Sequence, residues 1–156
     1  GSGLAGIPAA YRLKQAGLDF TVYEKNSEIG GVWWENTYPG CRLDTPNFAY
    51  SLSFAQKQDW KQHFSQQPEI LRYLLDVVDF AGIRPHVRCD AEVEALTFDE
   101  AQATWRVRSR NRAGAVTEED FHFVITAMGL LNRPSIPDFE GIDTFKGQII
   151  HSAACQ

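Results

Sequence analysis

The sequence predicts an α/β fold: a parallel sheet flanked by helices, with a small antiparallel β-meander attached. Three observations carry this. The chain opens on Gly1-Ser2-Gly3-Leu4-Ala5-Gly6, a G-x-G-x-x-G at the head of a helical pattern. A β-branched and aromatic run, ending in the acidic Glu24, follows that helix. Farther on, alternating segments separated by turn residues fill the stretch from about 86 to 126.

The elements follow in order. Leu4, Ala5, Ala9, Leu13 and Ala16 stand at helical spacing. Pro8 falls in the first turn, where backbone N–H groups lack intrahelical partners. Gly17 fits the C-terminal stop. Asp19 to Glu24 reads as a strand. Residues 25–66 are rich in Gly, Pro, Asn, Trp and Tyr and have no sustained period, which marks a functional rather than a connecting segment. Gln67-Pro68-Glu69 opens a second long helix, buried through Ile70, Leu71, Leu74, Leu75, Val78 and Ala81 and closed by Gly82. Val87 to Phe98, Thr104 to Arg110 and Val116 to Thr126 form the meander strands, the last becoming continuously apolar as it enters a covered sheet. Pro134 and Pro137 mark an extended linker, and Gln148 to His151 starts another strand.

The opening motif has a physical reading. Gly1 permits a tight turn, Gly3 lets backbone approach a pyrophosphate, and Gly6 lets the helix pack closely on its strand. The helix start at Leu4 and Ala5 offers free N–H groups to phosphate. Glu24 accepts from a ribose hydroxyl. The fingerprint calls for a strand before Gly1, so the expectation is that the sequence starts inside a motif.

Composition narrows the function. A chain of 156 residues suffices for one domain with a core. Its net charge of −5 argues against nucleic-acid binding. Arg106, Arg108, Arg110 and Arg112 alternate as a solvated strand face would. Cys41, Cys89 and Cys155 are scattered, which argues against a disulfide framework or zinc and suits a reducing cytoplasm. No apolar run reaches the roughly 20 residues that span a bilayer. His63, His86 and His122 lack metal-ligand spacing.

The run Gly30-Gly31-Val32-Trp33-Trp34-Glu35-Asn36-Thr37-Tyr38-Pro39-Gly40-Cys41-Arg42-Leu43-Asp44, placed after the opening motif and Glu24, resembles the flavin-dependent Baeyer–Villiger monooxygenases. Its wording on through Tyr50 is most similar to the hydroxyacetophenone monooxygenase group. Thr126 to Pro134 resembles the segment that leaves the FAD sheet toward the NADPH domain. Phe145-Lys146-Gly147-Gln148-Ile149-Ile150-His151-Ser152 resembles the family fingerprint F-x-G-x-x-x-H-x-x-x-W. The resemblance covers the whole chain in family order. It departs at Cys155, where the fingerprint has its final aromatic.

The resemblance implies a Rossmann-like FAD-binding domain, truncated at both ends. Residues 1–134 would be a partial FAD domain, and 135–156 a linker with the start of the NADPH domain. The implied parent enzyme uses FAD and NADPH to insert one oxygen atom of O2 into a small ketone, giving an ester or lactone; this segment alone would be inactive. Charge and the lack of a long apolar run argue against nucleic-acid and membrane partners, and the oligomeric state stays open. FAD contacts fall on Gly1, Gly3, Leu4, Ala5, Gly6, Glu24, Gly30, Gly31, Val32, Trp33, Trp34, Asp44 and Tyr50. Asp44 corresponds to an acid that holds a catalytic arginine lying beyond residue 156. His151 corresponds to a linker histidine acting in conformational coupling, not as a general base. Other readings stand beside these. Trp33, Trp34 and Tyr50 serve equally as core residues, and Asp44 as a turn residue. The departure at Cys155 keeps an N- or S-oxygenating flavin monooxygenase in view, as well as a non-catalytic flavin-binding fragment.

Overall fold

A computed structural model describes residues 1–151 and Ala153. Helix α1 (Gly6–Gln15) leads to a two-residue strand β1 (Val22–Tyr23). A single helical turn, α2 (Val32–Glu35), and the long helix α3 (Gln67–Ala81) precede β2 (Val87–Arg88). Strands β3 (Ala91–Asp99), β4 (Thr104–Asn111) and β5 (Val116–Phe121) complete the regular structure, with short 3-10 turns elsewhere. β1 and β2 pair in parallel, Val22 opposite Val87 and Tyr23 opposite Arg88. A parallel pair needs a long crossover, and α2, α3 and the aperiodic segment supply it. β3, β4 and β5 form the antiparallel meander.

The core lies between α1 and α3. Ile70, Leu74 and Val78 recur every fourth residue on one face of α3 and are fully buried. Ile7 and Ala10 of α1, with Ile29, Trp33, Leu43 and Ile83, pack in the same cluster. α3 stops where Gly82 turns left-handed and Ile83 N–H bonds back to Val78 O at 3.2 Å. Lys14 Nζ donates to the Ala81 and Gly82 carbonyls at 2.9 and 2.6 Å. That cation satisfies orphan carbonyls at the helix end and ties α1 to α3.

Several expected boundaries move. The stretch from Val87 to Phe98 is two strands, because Asp90 sits at φ +51° and turns the chain. Asp90 N–H bonds Asn26 O and Ala91 N–H bonds Glu24 O, both at 2.8 Å, so the break docks on the loop after β1. The meander proper thus spans 91–121. β5 ends at Phe121 rather than Thr126; Phe123 beyond it is 88% exposed, and Ala127 O lies against Gly1. The buried stripe of α3 shifts toward Tyr73 and Val77, leaving Leu71 and Leu75 half-buried. Tyr73 is tolerated inside because its hydroxyl accepts from Leu52 N–H and donates to Ala55 O. Gln148 to His151 form no strand.

Arg106, Arg108 and Arg110 lie on a solvated face of β4, as their spacing implies, while Arg112 falls in the turn beyond it. Arg106 meets Asp120, Arg108 meets Glu94 and Glu118, and Arg110 meets Glu94. The meander joins the parallel pair through Tyr23, whose hydroxyl donates to Glu119 beside Arg88.

Candidate functional site

Glycine is obligatory at Gly6. A Cβ there would stand 1.9 Å from Gly1 O, inside any permitted contact. Helix α1 begins at once, with Ala5 at its N-cap and neither a side-chain cap nor an acidic residue in its first turn. Its leading N–H groups therefore have no side-chain acceptor, and the positive end of the helix dipole is left uncompensated. This end can receive an anion.

Glu24 lies beneath that turn, 3% exposed. Its Oε2 accepts from Ser2 N–H and Ser2 Oγ, each at 2.7 Å, and its Oε1 accepts from Asn26 N–H at 2.9 Å. An ionised carboxylate has about four acceptor positions, so one remains for an outside donor. Glu24 holds the glycine turn in shape as well as offering that acceptor.

The second glycine pair docks on the first. Gly30 N–H bonds Ser2 O at 3.2 Å. Gly31 adopts φ +58°, and a Cβ on it would meet Gly3 Cα at 2.9 Å. A Cβ on Gly30 would meet Leu71 Cδ1 at 2.6 Å. The clearance these glycines provide is thus used first by the chain's own packing. Half-buried Val32 starts α2 immediately afterward.

Trp33 is buried in the core, its indole N–H donating to Tyr50 OH at 2.9 Å, and its carbonyl accepts from Gln67 Nε2. Trp34, 38% exposed, keeps a free surface. Burial raises the Tyr50 hydroxyl above its ordinary pKa; the Trp33 hydrogen bond opposes this and the Asp44 charge adds to it. The Asp44 carboxylate is exposed and accepts from Thr45 Oγ1 at 3.2 Å. Gly3, Gly31, Trp33 and Tyr50 make one continuous path through the fold, with Asp44 on the loop that leads from Trp33 to Tyr50. His151 stands apart from it, half-buried, with Nδ1 accepting from Ala153 N–H at 3.1 Å. Cys155 lies outside the described residues.

Residues the sequence did not single out hold this path. Asn47, Ser65 and Gln67 are buried polar groups that bond across it. Gln67 was legible only as a helix-start residue, and no local pattern joins Asn47 to Ser65. A cleft of about 440 Å³ bordered by Lys57, Lys61, Arg72 and Asp76 lies outside the path. Two of its cations are already paired, Lys57 with Asp59 and Arg72 with Asp76. Among the described residues no helix is long and apolar enough to cross a membrane.

Fold and glycine turn define a Rossmann-like α/β module, and residues 1–66 match the NAD(P)-binding Rossmann-like domain family. A Baeyer-Villiger monooxygenase of Streptomyces coelicolor is 42% identical over 98% of this chain and 29% of its own length. The structure of OTEMO in complex with FAD and NADP superposes with a TM-score of 0.85 at 36% identity, covering 98% of this chain and 29% of that one. Cyclohexanone monooxygenase from Rhodococcus sp. Phi1, bound to NADP+, gives 0.83 at 38% identity, covering 99% and 29%. The chain is similar to these Baeyer–Villiger monooxygenases over nearly its whole length and spans about 29% of theirs.

Proposed function

We propose that the chain is the FAD-binding portion of a Baeyer–Villiger monooxygenase. The observation that carries this is the contact of Gly3 with Gly31. It joins an uncapped helix start, suited to a pyrophosphate, to the motif that bears Trp33, Tyr50 and Asp44. Gly1, Gly3, Leu4, Ala5 and Gly6 would hold the pyrophosphate, and Glu24 would use its remaining acceptor position on the adenosine ribose. Trp34 and Tyr50 would border the ring system. The bound flavin supplies the redox chemistry with O2. The overall reaction balances as ketone, O2, NADPH and a proton giving ester or lactone, water and NADP+.

Asp44 would orient the reacting groups through its carboxylate, and His151 would couple domain movement to the cycle. We divide the chain at residue 134, with 135–156 leading toward the NADPH-binding domain. Within the family we place it nearest the hydroxyacetophenone monooxygenases, on the run from Trp33 to Tyr50. We assign it to the cytoplasm, where the free thiols Cys41 and Cys89 stay reduced.

The test uses the full-length protein that carries this segment. It should release FAD, not FMN, on denaturation. Asp44→Ala should keep its flavin while ketone oxygenation falls roughly a hundredfold. Full activity in that variant, or release of FMN alone, sinks the reading.

A further inference from the structure

We propose that Asn47, locked by Ser65, is a positioning residue for Asp44. This rests on the monooxygenase reading above. Asp44, Thr45 and Pro46 form a three-residue span between two anchors. On one side Leu43 N–H bonds Ser65 O at 3.0 Å; on the other Asn47 N–H bonds His63 O at 3.0 Å. Both anchors fall on the strip 63–65, which leads into α3.

The Asn47 side chain closes the span. Its Oδ1 accepts from Ser65 N–H at 2.8 Å, and its Nδ2 donates to Gln62 O at 2.7 Å and to Ser65 Oγ. Ser65 N–H can only donate and Gln62 O can only accept, so the amide has one permitted orientation. Ser65 Oγ passes the chain on, donating to Glu69 Oε2 at 2.6 Å in the first turn of α3. Glu69 Oε1 in turn accepts from Lys61 N–H at 3.1 Å. Asn47 is 3% exposed and Ser65 fully buried, so the two bonds between them form away from water.

Asn47 also reaches the other side of the path. Its carbonyl accepts from Tyr50 N–H at 2.9 Å and from Ser51 Oγ at 3.2 Å. One residue therefore anchors the backbone after Asp44 and at Tyr50, and ties both to the strip that leads into the long helix. An exposed carboxylate on a three-residue span would otherwise sample many positions. Catalysis by orientation suffers steeply from displacement: about 1 Å costs roughly a hundredfold.

The experiment is a double-mutant cycle in the full-length protein, with flavin content and melting temperature recorded for every variant. The probe is the best substrate in a panel of cyclic and aryl ketones. Asn47→Ala should lower kcat roughly ten- to hundredfold, with KM and flavin content near wild type. In an Asp44→Ala background the same substitution should change kcat by no more than about twofold. If Asn47→Ala loses its flavin, Ser65→Ala takes its place, because it removes one hydroxyl and keeps every backbone bond. An unchanged kcat overturns the proposal. So does a full additional loss in the Asp44→Ala background, which would assign Asn47 to the fold alone and leave the monooxygenase reading standing. If Asp44→Ala is itself fully active, or no ketone is oxygenated, the underlying reading fails and the inference falls with it.

Discussion

In the meander, Arg106, Arg108 and Arg110 reach across to Glu94, Glu118 and Asp120 at the surface. In the segment 26–66, Trp33, Asn47 and their partners Ser65 and Gln67 meet inside the molecule. The first region is regular and held by neighbouring strands. The second has little regular structure and is held by bonds between residues 18 and 34 positions apart. Exposed ion pairs trade water for a partner at little gain. A buried donor or acceptor that loses its partner costs about 1–3 kcal/mol. The irregular region should therefore be the more sensitive to single changes, and it is the one that carries Asp44.

The largest effect should come from the turn on which that region docks. Gly6→Ala places a methyl 1.9 Å from Gly1 O. Neither atom can yield without moving α1 off the glycine turn. In the full-length protein we expect a loss of about 3 kcal/mol of stability, at the upper end for overpacking, together with loss of flavin. Thermal melting and flavin stoichiometry measure both. A variant that melts like wild type and retains its flavin would mean that the turn is plastic, and the contrast between the two regions would weaken.

That contrast also explains what the sequence made legible. α1, α3 and the meander followed from period and turn chemistry, because their contacts are local. Gly17 and Gly82 ended helices where expected, each at positive φ. The break at Asp90 was missed, since nothing in a β-rich run marks a single left-handed residue whose N–H is claimed by Asn26. Trp33 and Asp44 were legible only as part of a family motif. Asn47 and Ser65 were not legible at all. Their pairing depends on the chain returning after 18 residues, which no local pattern records.

A smaller effect is expected at the junction of the two regions. The Tyr23 hydroxyl donates to Glu119, and its pKa is pushed up to about 12 from 10.0, first by burial and then by that bond. The folded state thus holds this proton more tightly than the unfolded state does. The associated stability is fully present below pH 10 and is lost as pH rises from 10 to about 12. Urea midpoints of wild type and Tyr23→Phe should converge across that interval. A gap that stays constant through it would show that the Tyr23 proton contributes nothing to the junction.

The smallest effect is expected on the open face of the meander. Arg106 meets Asp120 through Nε at 3.0 Å and through a second nitrogen at 3.2 Å, a good geometry on paper. Both side chains remain about half exposed, at 51% and 43%. Water therefore solvates either charge well when the partner is gone, and at physiological salt the Debye length of about 8 Å screens what remains. The strand itself does not depend on the pair, because the backbone ladder joins Arg106 to Thr97 on one side and Asp120 on the other. Arg106→Gln should leave melting temperature, flavin content and kcat unchanged at physiological ionic strength, with any difference emerging only at low salt. The comparison with Asn47→Ala is direct: both substitutions remove side-chain hydrogen bonds, one set in water and the other mostly buried. A loss of activity or stability from Arg106→Gln rivalling that of Asn47→Ala would show that burial is not what separates the two regions.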